Sequence, residues 1–217
     1  MTDRPLLNPL NRVLGLALAA ATLASFFFVP LDAILPIHWG PDGQPDNFAP
    51  APIALLIPFA MAAFVVGLLA VLRPAGLRKD FEAGRHVIEA TITFIMVLAL
   101  IILAATIALG LGHTVDMPRL VAVLVGAMLL VVGNYLPKTQ PNWVAGVRLP
   151  WTLRDANNWR VTHRWTGLLM MLGGVVAVLA AILNPPAMVL FVLVLLSAIL
   201  PALAGLAISY AIARKSA

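Results

Sequence analysis

The sequence predicts an all-α integral membrane protein, a polytopic bundle of six transmembrane helices with both termini in the cytoplasm (N-in and C-in). Three observations support this prediction. Hydrophobic residues make up 62% of the 217 residues and charged residues only 11%, so a water-soluble fold would expose large apolar patches. Six apolar runs approach the length of about 20 residues that is needed to cross a hydrocarbon core of about 30 Å. Finally, Lys and Arg are concentrated in alternate loops.

The six apolar runs carry few or no charges and are predicted as spans at residues 13–31, 53–72, 90–111, 120–136, 167–183 and 187–213. The first run follows Arg12 as a signal peptide would, but it lacks a clean small-residue cleavage site and ends in Val29-Pro30-Leu31-Asp32. We therefore predict a retained helix. Pro58 and Pro201 lie within the second and sixth spans, where neighbouring helices can satisfy the freed carbonyls, and we expect a kink in the sixth helix.

The distribution of basic residues predicts the orientation. Of the 14 Lys and Arg residues, 13 lie in the N-terminal segment, the second loop, the fourth loop and the C-terminal tail, and the exception is Arg119 in the third loop. Cytoplasmic loops carry such an excess because translocating cations is disfavoured. The chain is thus expected to form one membrane domain, 1–217, with an outer loop at 32–52 and cytoplasmic loops at 73–89 and 137–165.

Several classes of site are disfavoured or excluded. The chain has no cysteine, which excludes disulfides, a thiolate nucleophile, a thiolate zinc site and an iron–sulfur cluster. No carboxylate or histidine lies in the middle of a predicted span, which argues against a proton-coupled pump or an intramembrane protease. Glu89 is expected to pair with Arg85, four residues earlier. The cytoplasmic loops account for the net charge of +5, so we predict no direct nucleic-acid binding. We also predict no cofactor and no enzymatic activity.

The first outer loop, rich in proline and aromatic residues, is predicted to be an ordered cap that meets an extracellular molecule. Its Gly40-Pro41-Asp42-Gly43 segment has the sequence of a type I turn. His38, Asp42 and Asp46 follow at a spacing of four, but one histidine with two mobile carboxylates is a weak metal-ligand set. We therefore predict an ordered loop without a metal.

The fourth loop contains four of the five tryptophans, between residues 143 and 165. Two interpretations remain open: an interfacial belt of Trp and Arg that contacts lipid headgroups, or a dedicated partner site whose interleaved Asn, Gly and Pro hold one loop shape. His163 is expected to be an interfacial structural residue rather than a catalytic base. Thr152 and Asp155 have capping-box spacing and predict a helix that starts at Leu153 and continues into the fifth span.

The two loops resemble the SdpI family, bacterial immunity proteins against the sporulation-delaying peptide toxin. The outer motif Pro36-x-His38-Trp39-x-x-x-Gly43, followed by Asp46, is similar to the short N-terminal domain of unknown function that accompanies the family. The C-terminal half of the family is resembled over about 35 residues, through Gly133-Asn134, Pro137-Lys138, Asn142, Gly146-x-Arg148-x-Pro150-Trp151-Thr152-Leu153, Trp159, Thr162-His163-Arg164 and Gly167.

The resemblance implies a multi-pass protein of the bacterial plasma (inner) membrane that protects the lipid bilayer from a secreted peptide toxin. It also implies relay of toxin presence, by holding a cytoplasmic repressor at the membrane. Toxin or ligand contact is then expected at His38, Trp39, Gly43 and Asp46. The implied cytoplasmic site comprises Asn134, Lys138, Asn142, Arg148, Trp151, Trp159, His163 and Arg164.

Two further hypotheses remain open at this stage. The first is a transporter or exporter of a small amphipathic molecule through the interior of the bundle. The second is a membrane enzyme that acts on lipid or peptide at the cytoplasmic face through His163.

Overall fold

The structure, a computed structural model, describes residues 5–73 and 77–215. The helices and strands, in chain order, are α1 (Pro9–Phe28), β1 (Ile34–Trp39), β2 (Pro45–Pro50), α2 (Ala51–Leu72), α3 (Arg78–Ala83), α4 (Arg85–Gly110), α5 (Met117–Tyr135), a 3₁₀ turn (Leu136–Lys138), α6 (Pro150–Arg154), α7 (Ala156–Leu183) and α8 (Ala187–Lys215). Six of the described helices are long and apolar enough to cross a membrane: α1, α2, α4, α5, α7 and α8. The predicted helical membrane fold is confirmed. Arg4, one of the basic residues counted above, lies outside the described residues.

The start of the fifth membrane helix differs from the prediction. The helix that was expected to begin at Leu153 is interrupted, because Asp155 has extended backbone angles (φ −121°, ψ 108°) and ends α6. The Asp155 side chain caps α7 instead and accepts a hydrogen bond from the amide of Asn157 at 2.8 Å. The Thr152 hydroxyl accepts from the amide of Leu149 at 2.7 Å. The predicted capping box is therefore wrong, although α7 does begin well before the predicted span.

The contacts within the chain define two compact units. The first comprises the described residues up to Ala70 together with Ile92–Leu120, and the second comprises the described residues of Val71–Thr91 together with those from Val121 onward. The expected single domain, 1–217, stays a prediction.

The first unit is built on buried aliphatic side chains from its helices. Leu18 of α1, Leu55 of α2 and Leu103 of α4 share one core in which each is at most 2% exposed. Val29 and Leu35 bring the outer loop into the same core. The apolar runs that predicted the spans thus also hold the outer loop in place.

The outer loop is an antiparallel hairpin of β1 and β2, an element that the sequence analysis did not predict. Its predicted turn carries the expected hydrogen bond, since the amide of Gly43 donates to the carbonyl of Gly40 at 2.9 Å. The amide of Ala51 donates to the carbonyl of Ala33 at 2.8 Å and joins the hairpin to the start of α2. The expectation of an ordered loop is confirmed.

The second unit depends on close helix packing at glycines. On α5 and α7, Gly133 faces Gly167, and Gly126 faces Gly174 two turns away. A Cβ on any of these four residues would lie 2.5–2.8 Å from the backbone oxygen of its partner. Such small residues let transmembrane helices approach closely, where dispersion contacts replace the missing hydrophobic drive between helices in lipid. The antiparallel contact of α5 and α7 is therefore a backbone-to-backbone seam.

Replacing Gly133 by Ala tests this seam. The added methyl group would lie 2.6 Å from the carbonyl oxygen of Gly167, so Gly133→Ala should lower the free energy of unfolding by about 1–3 kcal/mol. The matched control is Gly67→Ala on α2, where nothing lies within 4 Å of the new methyl group. Thermal unfolding in detergent measures both variants, and equal midpoints would contradict the proposed tight seam.

Candidate functional site

The fourth loop is fastened to α7 by the imidazole of His163, which is fully buried. Nδ1 lies 2.7 Å from the carbonyl oxygen of Trp159, and Nε2 lies 2.9 Å from the amide nitrogen of Val147. A carbonyl can only accept and a backbone amide can only donate, so these partners assign the proton to Nδ1 of a neutral ring. Both ring nitrogens are thus engaged within the protein, and the expectation of a structural histidine agrees with this geometry.

Gly146 makes room for this ring. Its φ of 116° is a backbone conformation that residues with a side chain rarely adopt. A Cβ there would also overlap Nε2 of His163. The imidazole also stacks on the indole of Trp159, with a centroid separation of 3.9 Å and an interplanar angle of 20°. The glycine is therefore required both by the backbone and by the space that the ring occupies.

Trp159 is a core residue, only 1% exposed. Its indole N–H donates to the carbonyl and hydroxyl oxygens of Thr139, at 3.1 and 3.2 Å. It therefore does not take part in a lipid-facing belt. By contrast, Trp143 and Trp165 are 61% and 49% exposed, as expected for residues that contact lipid or a partner.

The second loop holds the tip of the fourth. The amide of Trp143 donates to a carboxylate oxygen of Asp80 at 2.8 Å, and the amide of Gln140 donates to the carbonyl of Ala83 at 3.1 Å. Asn142 is only 1% exposed. Its side-chain oxygen accepts from the amides of residues 144 and 145, and its side-chain NH₂ donates to the carbonyl of Gln140 at 2.7 Å. Asp80 was not singled out from the sequence, because it lies 63 positions away from Trp143.

Arg148 also binds the backbone of the fourth loop. Its guanidinium donates to the carbonyls of Trp143 at 2.7 Å and Val144 at 3.2 Å, while the side chain remains exposed. The backbone of Trp143 is thus held at both its N–H and its C=O, and its indole projects from a fixed position.

A second polar cluster joins α7 to α8. Asn158 donates to the carbonyl of Ser209 at 2.9 Å and accepts from its hydroxyl at 3.1 Å, and Thr162 donates to the same Asn158 oxygen at 3.0 Å. The indole N–H of Trp151 donates to the Ser209 hydroxyl at 2.8 Å. Of these residues only Trp151 was among the predicted site residues. A serine within an apolar span was the available signal for Ser209.

The remaining residues of the predicted cytoplasmic site lie on the surface. Asn134, Lys138 and Arg164 are exposed, and the Lys138 ammonium lies 4.4 Å from the centroid of the Tyr135 ring. The structure therefore gathers Asn142, Arg148, Trp159 and His163 of the predicted set around one loop. The predicted ion pair of Arg85 with Glu89 is confirmed at 2.5 Å.

The predicted outer residues lie on the hairpin. His38 Nδ1 is 2.5 Å from Asp46 Oδ1 across the strands, and both side chains are more than half exposed. Gly43 has a φ of 79° in the turn, where glycine is favoured, and Trp39 pairs with Pro45. Among the described residues, no group of three or more His, Asp or Glu is placed to hold a metal ion.

Residues 138–205 match the model of the SdpI/YfhL protein family. The chain is 24% identical over 174 residues to the immunity protein SdpI of Bacillus subtilis (strain 168). The aligned segment covers 79% of this chain and 81% of that protein. The resemblance to the SdpI family is confirmed. No solved structure matches the chain.

The SdpI-family match covers the hydrogen-bonded fourth loop. The matched segment begins at Lys138. It includes the fourth loop, the α7 residues that bond to this loop and the α7 residues that bond to Ser209. The hairpin lies outside it. The suggested N-terminal domain of unknown function stays a prediction. Neither match is to an enzyme, and the six apolar helices support a multi-pass membrane protein.

Replacing His163 by Phe tests the loop clamp. The variant keeps an aromatic ring but leaves the Val147 amide without its acceptor, which should cost about 1–3 kcal/mol in the free energy of unfolding. The neighbouring Arg164→Ala removes an exposed side chain and should change stability by at most about 0.5 kcal/mol. Thermal unfolding and proteolysis within residues 140–149 measure the effect. A His163→Phe protein as stable and as resistant as Arg164→Ala would refute the clamp.

Proposed function

We propose that the protein is an immunity protein that protects its own plasma membrane against a secreted peptide toxin. The observation that carries the proposal is the coincidence of two independent results: the SdpI-family match and the hydrogen-bonded loop fall on the same segment. An organised loop that is held by buried side chains is more than a tether between two helices. Protection then proceeds by binding the toxin or by blocking its action on the membrane.

The proposal includes the N-in, C-in orientation, which the Lys and Arg distribution supports. With this orientation the hairpin faces the outside and the fourth loop faces the cytoplasm. Toxin contact is proposed at His38, Trp39, Gly43 and Asp46. The hairpin supports this role, because a preformed surface loses less conformational entropy when it binds a partner.

Relay to a cytoplasmic repressor is the second part of the proposal. The exposed indole of Trp143, on a backbone held by Asp80 and Arg148, has the features of an interface anchor, since buried Trp and Arg dominate binding energy at protein interfaces. Binding the repressor there would keep it at the membrane. This favours a partner site over a pure lipid belt for the tip of the loop, while Trp165 fits the belt.

Survival under toxin challenge tests protection. Cells that carry the protein, cells that lack it and cells with Arg148→Ala at matched membrane abundance are exposed to a panel of amphipathic peptide toxins. Deletion should remove protection. Arg148→Ala should remove it too, because the carbonyls of Trp143 and Val144 lose their donor and the loop loses its shape.

The matched control is Arg154→Ala, an exposed arginine outside the predicted site. If both arginine variants protect equally well, the basic residues act only through lipid headgroups, at about 1 kcal/mol each. If deletion has no effect across the panel, immunity is excluded for those toxins and the transporter hypothesis gains weight.

Cysteine labelling tests the orientation. The chain has no cysteine of its own, so a single introduced thiol reports its own location. In intact cells a membrane-impermeant maleimide should label Gln44→Cys on the hairpin turn, whereas Gln140→Cys should react only after permeabilisation. Both positions are exposed, which makes the pair a matched comparison. Labelling of Gln140→Cys in intact cells would overturn the proposed orientation.

A further inference from the structure

The exposed side of α7 changes from basic to aliphatic within one helical turn. Exposed side chains recur every three or four residues along this helix, as expected for one face at 3.6 residues per turn. The arginines of this face lie on the same side of α7 as the aliphatic side chains that would meet lipid, away from the buried side that holds the fourth loop. This lipid face of α7 comprises Arg160, Arg164, Leu168, Leu172, Val175 and Leu179.

The uncharged part of α7 has the length of a membrane crossing. Residues 165–183 contain no charged side chain and, at 1.5 Å per residue, span about 28 Å. The hydrocarbon core of a bilayer is about 30 Å thick. The helix ends at Leu183, and Asn184 follows in a left-handed conformation. With Leu183 at one boundary of the hydrocarbon, the guanidinium of Arg164 lies at the level of the lipid headgroups at the other boundary.

The basic end of this face has hydrogen-bond donors available for an anion. Among the described residues neither Arg160 nor Arg164 forms an ion pair, and Arg160 donates to the side-chain oxygen of Asn157 at 3.0 Å. From α5 to the C terminus the sequence contains a single carboxylate side chain, Asp155, which already caps α7. The indole N–H of Trp165 has no acceptor in the described part of the chain. These donors carry a net positive charge that is complementary to an anionic headgroup.

Lipid fits this face better than a second transmembrane helix does. Helix contacts in membranes are enriched in small residues, which allow close approach. The glycines of α7 already serve contacts within the protein, since Gly167 and Gly174 face α5 and Gly173 lies against the carbonyl of Ser197 on α8. Beyond Arg164, the lipid face offers only Leu and Val side chains. Charge and side-chain size therefore both favour a phospholipid.

We propose that Arg160, Arg164 and Trp165 bind the headgroup of an anionic phospholipid, such as phosphatidylglycerol, whose acyl chain lies along the lipid face of α7. The guanidinium groups donate to the phosphate oxygens and attract the negative charge of the headgroup. A zwitterionic phospholipid offers the same phosphate without net negative charge and binds more weakly. The inference is independent of the proposed immunity function, and it assigns Arg164 to the lipid boundary rather than to a cytoplasmic partner site.

Lipid selectivity at the two ends of α7 tests the proposal. The chain has no cysteine, so one bimane fluorophore can be attached at Leu168→Cys, one turn from Arg164, or at Ile182→Cys, one turn beyond Leu179 on the same side. Each full-length protein is reconstituted at low density into phosphatidylcholine vesicles with nitroxide-labelled phosphatidylglycerol or nitroxide-labelled phosphatidylcholine. Quenching measures how strongly each lipid associates there. Phosphatidylglycerol should be preferred at position 168, and the two lipids should quench equally at position 182.

Charge-removing variants of the Leu168→Cys protein identify the residues responsible. Arg164→Gln should lower the preference for phosphatidylglycerol about fivefold, because one basic residue near anionic lipid contributes about 1 kcal/mol. Arg160→Gln should lower the preference as well. The matched control, Arg154→Gln, removes the same charge from an exposed residue of α6, outside the lipid face, and should leave the preference unchanged.

Three outcomes would overturn the proposal. Equal quenching by the two lipids at position 168 would show that the site does not select the headgroup. An equal loss of preference in Arg154→Gln and Arg164→Gln would assign the effect to the overall surface charge of the protein. A fluorophore at position 168 that neither lipid quenches, while the one at position 182 is quenched, would mean that a second copy of the protein covers the site instead of lipid.

Discussion

The hydrogen bonding of buried polar groups is the constraint on which the second unit depends. An amide, an indole N–H or an imidazole that is buried away from water loses its solvation, so each must find a hydrogen-bond partner in the protein. His163 and Trp159 meet this requirement with backbone groups of the fourth loop, and the cluster around Ser209 meets it between α7 and α8. The need to satisfy these groups thus gives an irregular segment one conformation.

Glycine provides the second condition. Apolar attraction between helices is weak in lipid because the acyl chains are as apolar as the side chains, so packing distance decides how strongly helices associate. The facing pairs Gly133 with Gly167 and Gly126 with Gly174 bring α5 and α7 into backbone contact. The 3₁₀ turn and the fourth loop start directly from this seam, so the position of Thr139 relative to Trp159 follows from it.

In the proposed function, partners bind the side chains that remain exposed on this packed core. A residue such as Trp143 is useful to a partner because its backbone is already held by Asp80 and Arg148, and little further ordering is needed on binding. The hairpin of the first unit has the same property, with His38 and Asp46 joined across its strands. Rigid loops on membrane helices are thus a common feature of both proposed contact surfaces.

The sequence by itself determined the membrane class, the number of spans, the ordered turn in the outer loop and the pairing of Arg85 with Glu89. These features depend on composition, on runs of one residue class, or on residues within four positions of one another. The motif spacing also led to the SdpI family. The tertiary structure decided which of the predicted site residues meet, because contacts such as Asp80 with Trp143 or Asn158 with Ser209 join residues more than 50 positions apart. It also decided the break at Asp155 and the burial of Trp159, since the choice between a local cap, a lipid belt and a core position depends on what packs against each side chain.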